Sequence, residues 1–468
     1  MASSIISTPA AQRIPDRRHA EAPLTLEETA PRVLSFVDQL GLWGNLGVSL
    51  LGPVGAIYVL QPPTGPRLSL LAAIVAVVVG TVLGTGLLAV ATIPGAQTGR
   101  PAMVLLRGLF GRTVSYAPTI LNIIALVGWS VFEIVVISSA AQQLLGAHGL
   151  RWPYVLAAGV LTTVMAIRPL GAVRVLRKYA VAAVLVATIY LFVQLLRHPL
   201  PPLTQGSWTG FWAGTDVAVA VAVSWVSLAS DYSRHSRTVA AAVAGSFLGY
   251  TITQIAYYTL GLIALVTVVQ AGDTLQHDMF ATFIALPLGW LAFGVLTLRE
   301  LDQSFADTYS TVMSLQNLAP RLDRRRLAVA LGVLTTTLAL VLDTGTAYQN
   351  FLLLLGSVFV PMFAVFVADY FLAGGHRDWD TSTDAPARWV MLAPWAAGFV
   401  TYQLINPGNV PGWSTAWQDV AGWVHFPYQT WMSASVLSFM VALLLTLPLA
   451  AHTRRHRNHS RRSAEDGQ

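Results

Sequence analysis

The sequence lacks cysteine altogether and is poor in charge: none of its 468 residues is Cys, and only 11% are Asp, Glu, Lys or Arg. Without cysteine the chain can form no disulfide and offers no thiolate. It also holds neither an HExxH zinc motif nor a GxSxG nucleophile elbow. These absences disfavour an enzyme, including one that works within a membrane. Because a soluble domain has about 25% charged residues, the shortage of charge also disfavours a soluble fold.

The beginning of the chain lacks a long apolar run. It reads MASSIISTPAAQRIPDRRHAEAPLTLEETAPR. A secretory signal peptide would place an apolar segment of about 7–15 residues beside its charges. Residues 1–34 are therefore predicted to be a disordered cytoplasmic tail that is not cleaved.

The chain has an excess of apolar residues: 54% are hydrophobic and the mean hydropathy is +0.59. A helix needs about 20 apolar residues to cross a bilayer. We therefore predict an all-α polytopic protein of the cell membrane, in contact with the lipid bilayer. Its twelve predicted spans, numbered 1 to 12, are centred near residues 50, 80, 130, 161, 187, 221, 255, 295, 335, 360, 396 and 440.

Positive charge sets the predicted orientation, because cytoplasmic loops retain Lys and Arg. With both termini in the cytoplasm, all but four of the 28 basic residues fall in the tails or in cytoplasmic loops. The exceptions are Arg67, Arg151 and Arg197 outside and Arg299 within span 8. The pI near 9.7 therefore reflects topology and not nucleic-acid binding. Residues 451–468 are predicted to be a basic, solvated and disordered cytoplasmic tail.

Two predicted spans carry residues that interrupt helices. Span 1, WGNLGVSLLGPVGAIYVL, contains Gly52, Pro53 and Gly55, which favour a break. Span 6 has no central Gly or Pro, but three serines in residues 224–230 surround Trp225, and serine can bond back to the backbone and loosen a helix. Broken helices of secondary transporters line ion and substrate sites. A simple proline kink and small-residue packing are the alternatives.

An acid lies inside span 3, LNIIALVGWSVFEIVVIS, where Glu133 follows Trp129 by four residues. A charged carboxylate at the bilayer centre costs about 3 kcal/mol or more unless it has a partner. A spacing of four places both side chains on one helix face. The pair suits a planar, nitrogen-rich ring that stacks on the indole and donates N–H groups to the carboxylate. An interfacial tryptophan with a glutamate near the membrane edge is the alternative.

Span 8, GWLAFGVLTLRELDQSFADTYSTVMSLQNL, carries four charged residues. Helical spacing places Glu300, Gln303 and Asp307 near one face and directs Asp302 away from them. We predict functional roles for Asp302 and Asp307. We expect Arg299 to neutralise an acid on a neighbouring helix.

Five segments follow one another within about residues 35–375. They read GAQTGRPAMVLLRGLFGR, LNIIALVGWSVFE, SWVSLASDYSRHSR, DQSFADTYSTVMSLQN and FLLLLGSVFVPMFAVFVADYFL. In this order and spacing they resemble the nucleobase:cation symporters, the purine and cytosine permeases. The resemblance implies a core at 35–375, built as a five-plus-five inverted repeat (roughly 35–197 and 212–375) with discontinuous helices 1 and 6 and alternating access. Two additional helices at 388–450 resemble the family only in hydropathy.

The resemblance also implies roles for the residues at matching positions. Trp129 falls on the tryptophan that stacks the base, and Glu133 on the polar position that hydrogen-bonds it. Asp307 falls on a substrate contact of helix 8, and Trp225 resembles the aromatic residue of helix 6 that closes the sandwich. We expect Gln303, together with Asn45, to help read the polar edge of the substrate.

The cation site departs from the family pattern. Sodium-coupled members supply hydroxyls from helix 8 to an ion that carbonyls of helix 1 also hold, and Leu301 and Asp302 stand at those positions here. Leucine has no side-chain oxygen, whereas aspartate can bind sodium or carry a proton. We therefore expect H⁺ ahead of Na⁺ as the coupling ion, with no other metal or cofactor. Asp302, Glu300 and the broken stretch with Ser49 and Gly52 are expected to serve it.

The sequence therefore predicts a cation-coupled symporter that imports a nucleobase-like heterocycle. Cytosine or a purine is expected ahead of hydroxymethylpyrimidine, thiamine, allantoin or uracil. An amino-acid permease of the same architecture is the main alternative, and it would need exposed helix amides to bind a carboxylate. A channel would show flux that neither saturates nor accumulates substrate. The sequence is compatible with a monomer and does not specify the oligomeric state.

Overall fold

The computed structural model describes residues 22–26, 28–62, 66–146, 149–168, 170, 181–268, 275–342 and 347–465. These residues are mainly α-helical, because in hydrocarbon the backbone N–H and C=O groups must be satisfied within the segment itself. The helices are α1 Phe36–Leu46, α2 Leu51–Leu60, α3 Leu70–Thr98, α4 Ala102–Phe110, α5 Tyr116–Leu145, α6 Trp152–Ile167, α7 Val181–Leu195, α8 Phe211–Ser224, α9 Ala229–Ser233, α10 Val239–Thr267, α11 Leu275–Ala285, α12 Gly289–Leu318, α13 Arg324–Val341, α14 Ala347–Val367, α15 Leu392–Ile405, α16 Trp413–Trp423 and α17 Ala434–Glu465.

Among the described residues, six helical segments are long and apolar enough to cross a bilayer, and a seventh is added if α1 and α2 form one bent span. The six are Leu70–Thr98, Tyr116–Leu145, Phe211–Ser233, Val239–Thr267, Tyr348–Leu372 and Ala434–Ala451. Shorter apolar helices are Trp152–Ile167, Val181–Leu195 and Trp389–Ile405. The predicted all-α multi-pass fold is confirmed. The count of twelve spans, the inverted repeat and the orientation of the termini stay predictions.

Span 1 is broken, but not at the proline. The helix α1 ends at Leu46, α2 begins at Leu51, and the two axes differ by 61°. The sequence placed the break at Gly52, Pro53 and Gly55, whereas residues 47–50 form it and Pro53 is the third residue of α2. Proline is tolerated there because the first N–H groups of a helix have no acceptor within it.

Span 6 is also interrupted, as the serines predicted. After α8 ends at Ser224, a 3₁₀ turn at Val226–Leu228 precedes the short helix α9. The hydroxyl of Ser224 donates to the carbonyl of Val221 at 2.7 Å, and that of Ser227 donates to the carbonyl of Ser224 at 3.4 Å. This back-bonding competes with the regular helix ladder.

Small residues hold α8 against α3. A Cβ placed on Gly80 would lie 2.8 Å from Cβ of Ala218, and one on Gly84 would lie 2.7 Å from Cβ of Ala222. Such distances leave no room for a side chain, so the glycines permit the close approach of the two helices. The interrupted helix is thereby held firmly along its first half.

Both predicted tails differ from the structure where it describes them. In the segment 22–34, the carbonyls of Ala22 and Pro23 accept hydrogen bonds from Arg324 at 3.5 and 3.2 Å, and the N–H of Leu34 donates to the carbonyl of His235 at 2.9 Å. The described residues of this segment are therefore packed on the protein. The helix α17 continues to Glu465, because extending an existing helix is far easier than starting one. The tail up to residue 21 and the basic residues Arg174, Arg177 and Lys178 lie outside the described residues.

Candidate functional site

A small cavity of about 30 Å³ lies beside the breaks in spans 1 and 6. Its wall comes from residues 47–52 and from α5, α8, α10, α12 and α14. Seven of the ten site residues proposed from the sequence line it, namely Ser49, Gly52, Trp129, Glu133, Trp225, Gln303 and Asp307. The two tryptophans and the two acids among them are at most 9% exposed. The structure thus brings together residues that are up to 258 positions apart in the chain.

Each indole of the cavity is held by other aromatic rings. Trp129 packs edge-on against Tyr348 and Phe351, with ring centroids 6.1 and 5.2 Å away. Trp225 packs edge-on against Trp43 at 6.4 Å and lies tilted against Tyr250 at 6.1 Å. Aromatic pairs at these separations are mutually attractive. Both indoles are therefore oriented before any substrate arrives.

The cavity collects polar atoms that have no protein partner. Among the residues that the structure describes, Oε2 of Glu133, Oε1 of Gln303, Oε1 of Gln254 and the hydroxyl of Tyr258 are buried without a hydrogen bond, and all four residues line the cavity. Buried polar groups in proteins are normally hydrogen-bonded. Three of these four atoms can only accept while Glu133 is ionised. The site is thus suited to a ligand that supplies N–H or O–H donors.

The three remaining predicted site residues form a second cluster beside the cavity. A guanidinium N–H of Arg299 donates to the backbone carbonyl of Asn45, and the Asn45 side-chain amide donates to the carboxylate of Asp302. Arg299 also pairs with Glu300 at 3.3 Å, and both side chains are 1% exposed. These charges are therefore compensated within the protein. Asn45, expected to read the substrate edge, instead bridges Arg299 and Asp302.

Side chains of α12 form hydrogen bonds to the backbone on both sides of the break in span 1. One oxygen of Glu300 accepts from the hydroxyl of Ser49 at 2.8 Å, and both of its oxygens lie within 3.2–3.3 Å of the N–H of Leu50. On the other side, Nε2 of Gln303 donates to the carbonyl of Leu46 at 2.7 Å, while its Oε1 stays free in the cavity. Gln303 therefore connects the break to the substrate cavity.

Among the cavity residues that the sequence did not single out are four large polar ones, Tyr250, Gln254 and Tyr258 on α10 and Tyr348 on α14. Nε2 of Gln254 donates to the hydroxyl of Thr81 at 3.0 Å and to the carbonyl of Ala218 at 2.9 Å. These bonds leave its Oε1 as the free atom. A polar Gln in the apolar stretch TITQIAYY was the signal that could have indicated this helix.

No group of three or more metal-binding side chains occurs in the part of the chain that the structure describes. The site therefore consists of aromatic surfaces, carboxylates and amides, with one guanidinium beside the helix break. This composition suits the binding of a polar, planar molecule.

Comparisons with known proteins agree with this architecture. Residues 43–383 match the family model described as "Permease for cytosine/purines, uracil, thiamine, allantoin". A search of curated proteins gave no match.

Among solved structures, the chain is similar to Mhp1, a nucleobase-cation-symport-1 family transporter in a closed conformation with bromovinylhydantoin bound. The identity is 17% and the TM-score 0.70, and the match covers 93% of this chain and 96% of that one. The inward-facing conformation of Mhp1 matches at 16% identity and a TM-score of 0.69, over 93% and 94% of the two chains. A mutant of the manganese transporter of Eremococcus coleocola matches at 14% identity and a TM-score of 0.55, over 94% and 99%. At these identities the similarity establishes the fold.

Proposed function

The chain belongs to the family of permeases for cytosine and purines, uracil, thiamine and allantoin, the nucleobase:cation symporters, and on that premise we propose that it imports a nucleobase or a closely related heterocycle. Cytosine or a purine is the proposed substrate, ahead of hydroxymethylpyrimidine, thiamine, allantoin and uracil. The observation that carries the proposal is the set of unpartnered buried acceptors beside two oriented indoles.

A planar base fits the chemistry of this cavity. Its faces stack on Trp129 and Trp225, while its ring and amino N–H groups donate to Glu133 and Gln303. Asp307, which is 3% exposed, offers a further acceptor. Because the free protein atoms are mainly acceptors, a base with an amino group next to a ring nitrogen matches them better than uracil, whose edge carries two carbonyls.

The arrangement at the helix break disfavours an amino-acid substrate. Permeases that bind a substrate carboxylate expose the positive N-terminal end of a broken helix to it. Here the N–H of Leu50, immediately before α2, already faces the carboxylate of Glu300 at 3.2 Å. A substrate carboxylate would be repelled by Glu300 and would find that amide occupied.

The charge balance around the cavity supports proton coupling. Four carboxyls are buried here, that of Glu133 on α5 and those of Glu300, Asp302 and Asp307 on α12. Among the described residues, Arg299 is the basic residue that lies beside them. Other elements contribute Tyr250 and Tyr258 of α10 and Tyr348 of α14 to the cavity wall, and the nearby Tyr257 and Tyr232 also face these charged groups. Four buried carboxyls beside one guanidinium leave an excess of negative charge, which bound protons or a bound cation must offset. We propose Asp302 as the group that loads the coupling proton.

The proposed motion is alternating access around the two broken helices, with the inverted repeats moving against each other. Substrate binding would draw the halves of spans 1 and 6 together around the base. The coupling group Asp302 is bonded to Asn45 in the last turn of α1, so its protonation can be sensed directly at the break.

A competition experiment with a carboxylate variant tests the proposed substrate class. Purified protein is incubated with labelled cytosine or adenine and with unlabelled bases, allantoin, thiamine or amino acids. A hydrogen bond to a charged group contributes about 1.5–3 kcal/mol and a neutral one about 0.5–1.5 kcal/mol, so we expect Glu133→Gln to weaken base binding about tenfold.

The matched control is Glu28→Gln, because Glu28 is exposed and lies outside the cavity. It should bind like the wild type. Displacement of the label by amino acids but by no heterocycle would refute the proposal. So would a Glu133→Gln variant whose affinities equal those of the wild type for every competitor.

A further inference from the structure

The break in span 1 places two helix ends of opposite partial charge close together. The last carbonyls of α1 and the first N–H groups of α2 lack regular partners within their helices. Residues of the break supply some: the N–H of Val48 donates to the carbonyl of Asn45 at 3.1 Å, and the N–H of Leu51 donates to the hydroxyl of Ser49 at 3.0 Å. The carbonyl end carries partial negative charge and the N–H end partial positive charge. In secondary transporters, carbonyls at such breaks coordinate Na⁺, and the N–H ends face anionic groups. The groups that bond to these two helix ends determine which ion the break can bind.

In this chain two adjacent residues of α12 form hydrogen bonds to the two helix ends. Arg299 directs its Nη2 to the carbonyl of Asn45, in the last turn of α1, and its Nε lies 3.4 Å from the side-chain oxygen of the same residue. Glu300 accepts from the N–H of Leu50, immediately before α2. The cation of the pair thus lies at the negative helix end and the anion at the positive one.

We propose that the guanidinium of Arg299 is a tethered cation that takes the place of a sodium ion at the carbonyls of the broken helix, so that substrate binding and transport by this chain do not require sodium. The inference deepens the proposed function and rests on it for the identity of the substrate. Arginine stays protonated in proteins and cannot leave the site. The guanidinium is therefore held at the break, and the moving ion is the proton proposed for the neighbouring Asp302.

The burial of Arg299 distinguishes this arrangement from a surface ion pair. The residue is 3% exposed, and its partners are the carbonyl and amide oxygen of Asn45 and the carboxylate of Glu300. These are the oxygen ligands that a hard cation such as sodium would use. A sodium ion would have to compete with a positive charge already bonded to those oxygens. The positive charge of Arg299 therefore opposes sodium binding at this site.

The first test needs no substrate. The thermal unfolding midpoint of the purified protein is measured in NaCl and in choline chloride or KCl of equal ionic strength. A ligand that binds the folded state raises this midpoint. We expect no difference specific to sodium, and a sodium-specific rise of several degrees would overturn the inference. This result is independent of whether nucleobases bind.

The second test measures binding of labelled cytosine or adenine in the same salts. We expect the dissociation constants to agree within about twofold, because no sodium site is linked to the substrate site. A tenfold or greater loss of affinity without sodium would overturn the inference. Absence of binding in every salt would refute the proposed function, and the unfolding measurement would still decide the role of Arg299.

Variants of Arg299 give the sharpest contrast. Arg299→Gln removes the cation but leaves the carbonyl of Asn45 and the carboxylates of Glu300 and Asp302, so we expect a sodium-specific rise in the unfolding midpoint to appear. Arg299→Lys keeps a cation and should stay indifferent to sodium. A folded Arg299→Gln variant that binds the base in choline as tightly as the wild type would overturn the inference. If it does not fold, the two wild-type measurements decide.

The matched control is Arg151→Gln. Arg151 also donates to helix-end carbonyls, those of Ala339 at 2.6 Å and Leu342 at 3.1 Å, but it lies at the start of α6, away from the break. Its replacement should leave the protein without any response to sodium. A sodium response in this control as well would show that the response does not arise at the break, and would overturn the inference.

Discussion

Replacing Trp129 with alanine removes one of the two indole surfaces proposed to stack the base. Stacking of a base on an aromatic side chain is worth about 1–3 kcal/mol by alanine substitution. Since about 1.4 kcal/mol corresponds to a factor of ten, the dissociation constant of the base should rise about 5- to 150-fold. Trp225 would still cover the opposite face of the base. Binding should therefore be weaker, but it should still be measurable at high substrate concentration.

The same change also leaves a hole among Phe132, Tyr348 and Phe351, whose rings surround the indole. Truncating a buried tryptophan to alanine costs about 3–5 kcal/mol of stability. Trp129→Phe separates the two effects, because it keeps a flat ring and most of the packing. It should lose less affinity than Trp129→Ala. Trp423→Ala serves as the control for expression and folding, because Trp423 is 82% exposed.

The assay is equilibrium binding of labelled base to purified protein, with the unfolding midpoint and elution volume recorded for each variant. The expected order of affinity is wild type and Trp423→Ala, then Trp129→Phe, then Trp129→Ala. A folded Trp129→Ala variant whose dissociation constant lies within about twofold of the wild type would remove stacking on this residue from the account.

Two further predictions concern protons. The side chain of the Asp302→Asn variant cannot carry a proton. In proteoliposomes this variant should still exchange labelled for unlabelled base, but it should not accumulate base when a proton gradient is imposed. Unchanged accumulation would exclude Asp302 as the proton carrier. At the end of span 6, Nδ1–H of His235 donates to the carbonyl of Pro31 at 3.0 Å and Nε2 accepts from Nε of Arg234 at 3.2 Å. Burial, and then the charge of Arg234, lower the pKa of His235 well below its usual value of 6.5. The unfolded chain therefore binds more protons than the folded chain, and stability should be complete above about pH 6.5 and fall as the pH drops towards the folded pKa. Unfolding midpoints measured from pH 8 to about pH 5 should show this loss, and His235→Gln should flatten it; an unchanged slope in that variant would contradict the assignment to His235.

The core of the candidate site was predictable because its signals are local. Glu133 is conspicuous in an apolar span, and its spacing from Trp129 places both residues on one helix face. The roles of Trp225 and Asp307 followed from the resemblance, and helical spacing placed Gln303 on the face of Asp307; all three line the same cavity. Their contact with a substrate stays a prediction until binding is measured.

Features that depend on pairing between distant segments could not be predicted. The break in span 1 lies at residues 47–50 because Glu300 and Gln303 bond to the backbone of Leu50 and Leu46 there, and no local pattern encodes those bonds. Proline marked the region but not the position. In the same way, Arg299 was expected to neutralise an acid on a neighbouring helix, whereas its acidic partner is the next residue and its other contact is a carbonyl of α1.

The segment 22–34 illustrates the same limit. Its composition is that of a mobile tail, but Arg324 is fully buried and takes carbonyls of this segment as hydrogen-bond partners. A buried guanidinium must have its donors satisfied. The order of the tail is therefore imposed by a residue about 300 positions away, which composition alone does not reveal.

Accumulation in proteoliposomes tests the central claim most directly. Purified protein is reconstituted, an inward proton gradient is imposed in sodium-free buffer, and uptake of labelled cytosine or adenine is followed with time and concentration. The account predicts uptake that saturates with substrate, exceeds the external concentration and collapses when a protonophore is added. Uptake that is absent for every nucleobase, or that never exceeds equilibrium with the external solution, would contradict it.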